Sequence, residues 1–197
     1  MALAWQPSLL GGDPPAVDRG FAGAERRELS AGAWLELVPG WVRGADTLFE
    51  AVLAAAPWSS RERPMYERMV VEPRLTTGEW TDPPAPVPAM ASALSDRYGR
   101  QLTVVSANLY RDGHDSVAWH GDRIGRHQAE TVVAIVSLGS ARRLLLRPAT
   151  GGPSLRIVTR SGDLLVLGGT CQRTWRHSVP KCARAGPRIS VMFREGY

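Results

Sequence analysis

Residues 130–147 have the sequence ETVVAIVSLGSARRLLLR, in which two short β-rich runs, Glu130–Leu138 and Arg142–Arg147, lie on either side of Gly139. Five further runs of this kind occur from Gln101 onward: Leu102–Tyr110, Ser154–Arg160, Asp163–Leu167, Arg173–Val179 and Pro187–Arg194. Short β-rich runs separated by Gly, Pro or Asp are typical of a sandwich or barrel. We therefore expect a mainly β, α+β fold: a jelly-roll with helices on one side.

The N-terminal half adds helices to this β core. Gly44–Ala56 has apolar residues near helical spacing and ends before Pro57, and Ala89–Tyr98 is a second, shorter helix that ends at Gly99. Trp34–Val38 and Met69–Glu72 are further strand candidates. The intervening Thr81–Pro88 contains four prolines, which excludes a regular helix or central strand.

The chain has 197 residues, which fits a single domain (1–197) made of an N-terminal extension (1–99) and a jelly-roll core (100–197). No apolar run approaches the roughly 20 residues that cross a bilayer, and the N-terminus lacks the features of a secretory signal. The two cysteines, Cys171 and Cys182, are too few for a disulfide framework. We expect a cytoplasmic monomer with no membrane partner.

Charge is distributed unevenly along the chain. Residues 1–99 carry 9 basic and 13 acidic side chains, whereas residues 100–197 carry 15 and 6, so the halves have charges of −4 and +9. A basic half favours attraction to polyanions. A bias toward arginine codons explains the same composition, so charge alone does not establish a partner.

The sequence Ala118-Trp-His120-Gly-Asp122 places an imidazole and a carboxylate at positions i and i+2. On an extended backbone both side chains point to the same side and converge on one ion. His177 lies in a β-rich run and is the better third ligand, whereas His114 and His127 flank the pair in turn-like sequence. Two histidines and one carboxylate form the facial triad of non-haem Fe(II) oxygenases, although similar ligands also hold catalytic zinc.

The last β-rich run, Arg188-Ile-Ser-Val-Met-Phe-Arg194, alternates between a polar and an apolar face. If its polar face looks into a barrel, Arg188 and Arg194 are buried cations that need an anionic partner, and a small dicarboxylate meets that need. An edge strand with both arginines in solvent is the alternative. Asn108 and Tyr110, two residues apart, likewise share one strand face and can hydrogen-bond carboxylate oxygens.

The order Asn-x-Tyr, His-x-Asp, a distant His and Arg-x-(Asn/Ser)-x-x-x-Arg resembles that of the AlkB-like 2-oxoglutarate dioxygenases from Gln101 to Arg194. The resemblance implies a double-stranded β-helix core that uses Fe(II), 2-oxoglutarate and O2. It implies Fe(II) at His120, Asp122 and His177. It also implies that Arg188 and Tyr110 bind the distal carboxylate of 2-oxoglutarate, and that Arg194 and Asn108 bind the end near the metal. Ser190 stands where many members have Asn.

The likeness is thinner upstream. Residues 66–82, which include Glu72–Trp80, resemble the family's lid over an extruded base, and the resemblance implies substrate contacts from Trp80, Arg74 and Trp119. An ordinary buried tryptophan explains Trp80 as well. Members that act on DNA often carry acidic residues after the metal-binding Asp, whereas Arg123-Ile-Gly-Arg126 stands here.

The activity implied by the resemblance is oxidative demethylation of 1-methyladenine or 3-methylcytosine in alkylated DNA, which is direct-reversal repair. Three alternatives remain open from the sequence. One is the same chemistry on RNA, especially tRNA, or on a protein or small molecule. Another is a non-catalytic, basic nucleic-acid-binding β-barrel. A third is a cupin-like zinc hydrolase or isomerase, which leaves Arg188 and Arg194 without an anion.

Overall fold

The structure of the chain, a computed structural model, describes residues 3, 5, 6, 12–65, 68–122 and 128–196, without the side chains of 63–65, 68 and 70. Its strands are β1 Ala16–Val17, β2 Glu25–Glu28, β3 Ala33–Val38, β4 Val42–Arg43, β5 Ser59–Met65, β6 Arg68–Thr76, β7 Val104–Tyr110, β8 Val117–His120, β9 Thr131–Gly139, β10 Arg142–Pro148, β11 Leu155–Thr159, β12 Leu164–Gly169, β13 Trp175–Val179 and β14 Arg188–Arg194. Its helices are α1 Ala45–Ala55, α2 Pro86–Tyr98 and α3 Cys171–Thr174.

Two antiparallel sheets make the jelly-roll. The larger has the order β2-β3-β12-β9-β14-β7-β6-β5 and the smaller the order β11-β10-β13-β8. Strands from the N-terminal half extend both edges of the larger sheet, since β3 pairs with β12 and β6 pairs with β7. The predicted mainly β jelly-roll fold is confirmed.

Apolar side chains lie on both faces of the larger sheet, in two separate clusters. One cluster packs α1 and α2 against the sheet and includes Phe49, Val52 and Leu94 with Val191 and Phe193 of β14. The other fills the space between the two sheets and includes Leu35, Ile135, Leu146, Leu165 and Trp175. The polar face of β14 therefore looks into the space between the sheets, as the alternation of its residues predicts.

The helix predicted at Gly44–Ala56 is confirmed as α1, and the prediction at Ala89–Tyr98 is confirmed apart from its start. Because α2 begins at Pro86, the exclusion of helix from all of Thr81–Pro88 is wrong at its last residues. Proline is compatible with the first helical turn, where the backbone N–H groups have no helical acceptor. No helix in the described ranges is long and apolar enough to span a bilayer.

The strands β1, β2 and β4 were not predicted, and the expectations differ from the structure at β5, β6 and β13 as well. The run Arg173–Val179 begins as the short helix α3 and becomes strand β13 only at Trp175. The candidate Met69–Glu72 is the middle of a longer strand, β6, which pairs with the unpredicted β5. β5 has the sequence SSRERPM, which lacks the apolar alternation by which strands are predicted. It is an edge strand, and edge strands tolerate charged side chains.

Candidate active site

The side chains of His120, Asp122 and His177 meet at one point inside the mouth of the jelly-roll. Nε2 of His120 lies 3.6 Å from Oδ1 of Asp122, and Nε2 of His177 lies 3.9 Å from the same oxygen. The three ligand atoms all lie within 4.8 Å of one another. Strands β8 and β13 create this arrangement, because His120 and His177 are directly opposed in their antiparallel register. Two imidazoles and one carboxylate arranged in this way fit a divalent transition metal.

The surroundings of the two imidazoles orient one of them and keep the other uncharged. Nδ1 of His120 lies 2.8 Å from the carbonyl oxygen of Ala118. Because a carbonyl oxygen only accepts hydrogen bonds, Nδ1 carries a proton, and Nε2 is the ring nitrogen that faces Asp122 and is placed to bind a metal. Burial lowers the pKa of His177 to about 4, an effect that the Asp122 carboxylate opposes. His177 is therefore uncharged near neutral pH, as a metal ligand must be.

A buried cation lies deeper between the sheets. Arg188 is 2% exposed, donates from Nη2 to Oγ of Ser137 at 2.9 Å, and lies with its guanidinium carbon 5.3 Å from the ring centroid of Tyr110. Its Nε is buried without a hydrogen-bond partner, and no carboxylate among the described residues is paired with it. Burial lowers the pKa of Arg188. A desolvated guanidinium with an unused donor fits an anionic ligand.

A second cation, Arg194, links this region to the triad. Its Nη2 donates to Oγ of Ser106 at 2.8 Å, and its Nε lies 4.0 Å from Oδ2 of Asp122 without a hydrogen bond. Asn108, at 9% exposure, directs its amide toward Sδ of Met192 at 3.3 Å. Ser190 is buried opposite Asn108 in the register of β14 and β7. The five residues implied as 2-oxoglutarate ligands therefore share one interior face.

Arg74 reaches this site from β6. It forms an ion pair with Glu72 at 3.1 Å, and both side chains are about 15% exposed. Its charge contributes to the lowered pKa of His177, so its guanidinium lies near the triad. Arg74 and Glu72 thus form an ion pair near the metal ligands.

Two tryptophans do not face the metal. Trp80 is 5% exposed and belongs to the cluster between the larger sheet and its helices, and its backbone N–H bonds to Val105. The expectation that Trp80 stacks on a base disagrees with this placement, because its ring lies in the core. Trp119 is on the face of β8 opposite to His120, where the guanidinium of Arg147 lies 4.1 Å from its ring centroid. The sequence does not show which way either tryptophan ring points, because that direction depends on the tertiary packing.

Three residues of the site were not predicted from the sequence. Ser106 shares the strand alternation of Asn108 and Tyr110, so periodicity could have identified it. Ser137 lies inside an apolar run, and Gln172, whose Oε1 accepts a hydrogen bond from the backbone of Asp122 at 2.9 Å, follows a Gly-Gly-Thr-Cys turn. Both are found only through their tertiary contacts.

Of the two alternative metal ligands, the structure describes only His114, which is not part of this cluster. His114 is highly exposed, with its Nδ1 3.4 Å from Oδ1 of Asp112. His127 and the Arg123–Arg126 segment lie outside the described residues.

Comparison with known proteins agrees with this geometry. Residues 57–194 match the model of the 2OG-Fe(II) oxygenase superfamily, whose members use Fe(II), 2-oxoglutarate and O2. In overall structure the chain is similar to OsALKBH1, with a TM-score of 0.60 at 14% identity over 87% of this chain and 100% of that one. It is also similar to a prolyl hydroxylase from Trichoplax adhaerens, with a TM-score of 0.60 at 13% identity over 82% and 83% of the two chains. At these identities the likeness concerns the fold.

Sequence relatives are more specific. The chain is 28% identical over 187 residues to the human alpha-ketoglutarate-dependent dioxygenase alkB homolog 3, covering 82% of this chain and 65% of that protein. It is 32% identical over 145 residues to the DNA oxidative demethylase ALKBH2 of Arabidopsis thaliana, covering 61% and 46% of the two chains. The chain thus spans less than two thirds of the length of these relatives. With the His-Asp-His cluster and the two interior arginines in place, this chain belongs to the 2OG-Fe(II) oxygenase superfamily, as an AlkB-like member.

Proposed function

We propose that this chain is an oxidative demethylase of N-alkylated bases in nucleic acid, with 1-methyladenine and 3-methylcytosine in DNA as substrates. The observation that carries the proposal is that the triad and two arginines with unused donors, Arg188 and Arg194, lie on one interior surface. Such a surface supplies ligands for a metal and for a dicarboxylate side by side. A cupin-like zinc hydrolase leaves both arginines without an anion, so this surface favours the oxygenase.

The chemistry of the site residues assigns them to two functions, metal binding and 2-oxoglutarate binding. His120, Asp122 and His177 would hold Fe(II) through two neutral imidazole nitrogens and one carboxylate oxygen, which leaves three coordination positions open. Arg188 and Tyr110 would bind the distal carboxylate of 2-oxoglutarate. Arg194 with Asn108 would bind the end nearer the metal, beside the buried Ser190. The apolar surroundings exclude water from these contacts and strengthen them.

When bound, Fe(II) and 2-oxoglutarate supply the oxidation: O2 and 2-oxoglutarate are consumed, succinate and CO2 are released, and one oxygen atom enters the N-alkyl C–H bond. The resulting hydroxymethyl group leaves as formaldehyde with loss of its hydroxyl proton, and the electron pair of the broken N–C bond stays on the ring nitrogen, which restores the unmethylated base. None of the steps named above needs a protein side chain to transfer a proton. Its contribution is to bind, orient and desolvate the reactants.

A surface outside the pocket supports a nucleic-acid substrate. Inward-facing residues alternate with outward-facing ones along the smaller sheet, and its outer face carries four arginines, which we call the arginine face: Arg143, Arg147, Arg156 and Arg176. No Asp or Glu occurs in β8, β10, β11 or β13. In the part of the chain that the structure describes, none of the four has an ion-pair partner, and Arg147 directly opposes Arg176. Facing like charges repel, so a polyanion on this face is stabilised.

The experiment is an oxidation assay with a panel of methylated oligonucleotides. The protein is loaded anaerobically with Fe(II) and 2-oxoglutarate, exposed to O2 with single- and double-stranded DNA and RNA, and analysed by mass spectrometry. We expect a loss of about 14 Da per methyl group, greatest on single strands because a base must leave its stack to enter the pocket. The His177→Ala variant and unmethylated oligonucleotides are the controls.

The panel also separates the alternatives. Mass loss only on RNA would move the substrate to RNA. Succinate formation without mass loss on any oligonucleotide would move it to a protein or small molecule. The absence of iron-dependent succinate formation would reject the enzyme in favour of a binding protein.

A further inference from the structure

Strand pairing fixes the positions of His120 and His177 but not that of Asp122. His120 is the last residue of β8, and His177 is fixed in the middle of β13 by pairing on both sides. Asp122 lies beyond the end of β8, where the ladder of backbone hydrogen bonds has stopped. A carboxylate that must meet two imidazoles to within a fraction of an ångström needs its backbone held by something else.

Gln172 of α3 supplies that contact. Its side-chain Oε1 accepts a hydrogen bond from the backbone N–H of Asp122 at 2.9 Å, and the residue is only 8% exposed. Its backbone carbonyl lies against Gly121 so closely that a Cβ there would be 2.4 Å from the oxygen. Both the backbone and the side chain of Gln172 therefore contact the two residues that follow β8.

The same short helix contacts the chain again a few residues later. Nε of Arg173 donates to the backbone carbonyl of Gln128 at 2.8 Å. α3 continues directly into β13, which carries His177, and Trp175 anchors this junction by donating from Nε1 to the carbonyl of Ser30 at 3.2 Å. One rigid unit thus holds both Asp122 and His177.

We propose that Gln172 is a positioning residue of the metal centre, whose side-chain carbonyl fixes the backbone of Asp122 and so sets the carboxylate relative to the imidazoles of His120 and His177. The inference rests on these three residues being the metal ligands and not on the identity of the substrate. The amide suits the task because it is a neutral acceptor long enough to reach from α3. Its Nε2 is buried without a hydrogen-bond partner among the described residues, so the accepting oxygen is the atom of this amide that contacts the site.

Three replacements of Gln172 separate this function from simple packing. Gln172→Ala removes the acceptor, and Gln172→Asn keeps the amide but shortens its reach by one methylene. Gln172→Glu keeps both the reach and the accepting oxygen. Contacts outside a metal's ligands are worth about 10–100-fold in metal affinity, so we expect at least a tenfold loss of affinity in the Ala and Asn variants. We expect the Glu variant to bind at least as tightly as the wild type.

The measurement is the affinity of the metal-free full chain for Mn(II), an ion that prefers similar nitrogen and oxygen ligands. The electron paramagnetic resonance signal of the free ion reports how much Mn(II) remains unbound. Thermal melting and circular dichroism of the metal-free variants show whether they are folded. Arg173→Ala is the matched control in α3, since it loses the contact to Gln128 and retains that to Asp122. We expect it to bind Mn(II) within about threefold of the wild type, below the range expected for contacts beside metal ligands.

Asp122→Ala makes the outcomes distinguishable. If it binds Mn(II) like the wild type, the triad assignment fails. If it loses binding while Gln172→Ala binds normally, the triad stands and Gln172 has no positioning function. Should Gln172→Ala fail to fold, the Asn and Glu variants decide: equal affinity in these two overturns the proposal, and weaker binding by Asn alone supports it.

Discussion

Arg188 and Tyr110 face each other across β14 and β7, in direct register, with the guanidinium carbon 5.3 Å from the phenol ring centroid. The guanidinium carbon of Arg142 lies 5.6 Å from the centroid of the same ring. Arg142 donates to the carbonyls of Asp112, Asp115 and Pro180, whereas Arg188 donates to Ser137 and keeps a buried Nε that has no hydrogen-bond partner among the described residues. Of these two neighbouring cations, Arg188 is therefore the one with hydrogen-bonding capacity left for an anion.

This contrast predicts the effect of removing Arg188. Arg188→Ala should weaken 2-oxoglutarate binding by about 2–5 kcal/mol, the range for truncating one partner of a buried charge pair. Arg188→Lys keeps the charge but loses the bidentate fork, so its loss should be smaller. Anaerobic titration of the Fe(II) protein with 2-oxoglutarate measures both, and Arg27→Ala, on the exposed strand β2, is the control. An unchanged affinity in Arg188→Ala would remove this arginine from the cosubstrate site.

Replacing a metal ligand should abolish turnover and leave the fold in place. In His177→Ala we expect no iron-dependent succinate and no tight Mn(II) binding, because two ligands rarely retain a divalent ion. The buried site loses a desolvated imidazole, so circular dichroism should remain close to that of the wild type. Full turnover by this variant would require a different third ligand, and His114 and His127 would then be replaced in turn.

The arginine face should contribute to the salt dependence of nucleic-acid binding. For single strands, each lost phosphate contact lowers the slope of log affinity against log salt by about 0.7. The double variant Arg147→Gln/Arg176→Gln should therefore show a slope shallower by about 1.4. The charge-matched double variant Arg27→Gln/Arg43→Gln, on exposed positions of β2 and β4, should leave the slope unchanged. Equal slopes in the two double variants would show that the face does not contact phosphates.

Trp80 should matter for stability and not for base recognition. Its ring is in the core between the larger sheet and α2, so Trp80→Ala should lower the free energy of unfolding by about 3–5 kcal/mol. Trp80→Phe fills part of the space and should cost less. Urea denaturation measures the loss, and oligonucleotide affinity is compared at a temperature where both variants are folded. Weakened oligonucleotide binding with wild-type stability would restore the base-stacking assignment.

A partly buried hydrogen bond between α2 and β3 should make the free energy of unfolding fall at alkaline pH. Tyr98 donates to Glu36 at 2.6 Å, and burial, aided by this bond, raises the pKa of Tyr98 well above its usual range. The folded state keeps the phenol proton at pH values where the unfolded chain has lost it. The stabilisation is thus fully present below the unfolded pKa of about 10 and is lost as pH rises above it. Between pH 8 and 11, the free energy of unfolding measured with urea should fall less steeply in Tyr98→Phe than in the wild type. An equal pH dependence in the two proteins would contradict the prediction.

Local periodicity determined much of the fold and half of the site. In β14 and β7 alternate residues share a face whatever the rest of the chain does, so Arg188, Ser190 and Arg194 had to lie together, as did Asn108 and Tyr110. The same two-residue period predicted that His120 and Asp122 lie on one side, although Asp122 lies just beyond the end of β8. α1 and most of α2 were predictable for a similar reason, since the spacing of apolar residues within a helix is a local property.

Tertiary structure decided everything that depends on which side of an element faces the core. Only the register of β8 with β13 places His177 beside His120, and only the covering of the larger sheet by α2 puts the Trp80 ring inside the core instead of at the mouth. Gln172 meets Asp122 through a contact between segments far apart in the chain. Alternation fixes which residues share a face but not which face is buried, because burial depends on what packs against it, and that is set by contacts distant in sequence.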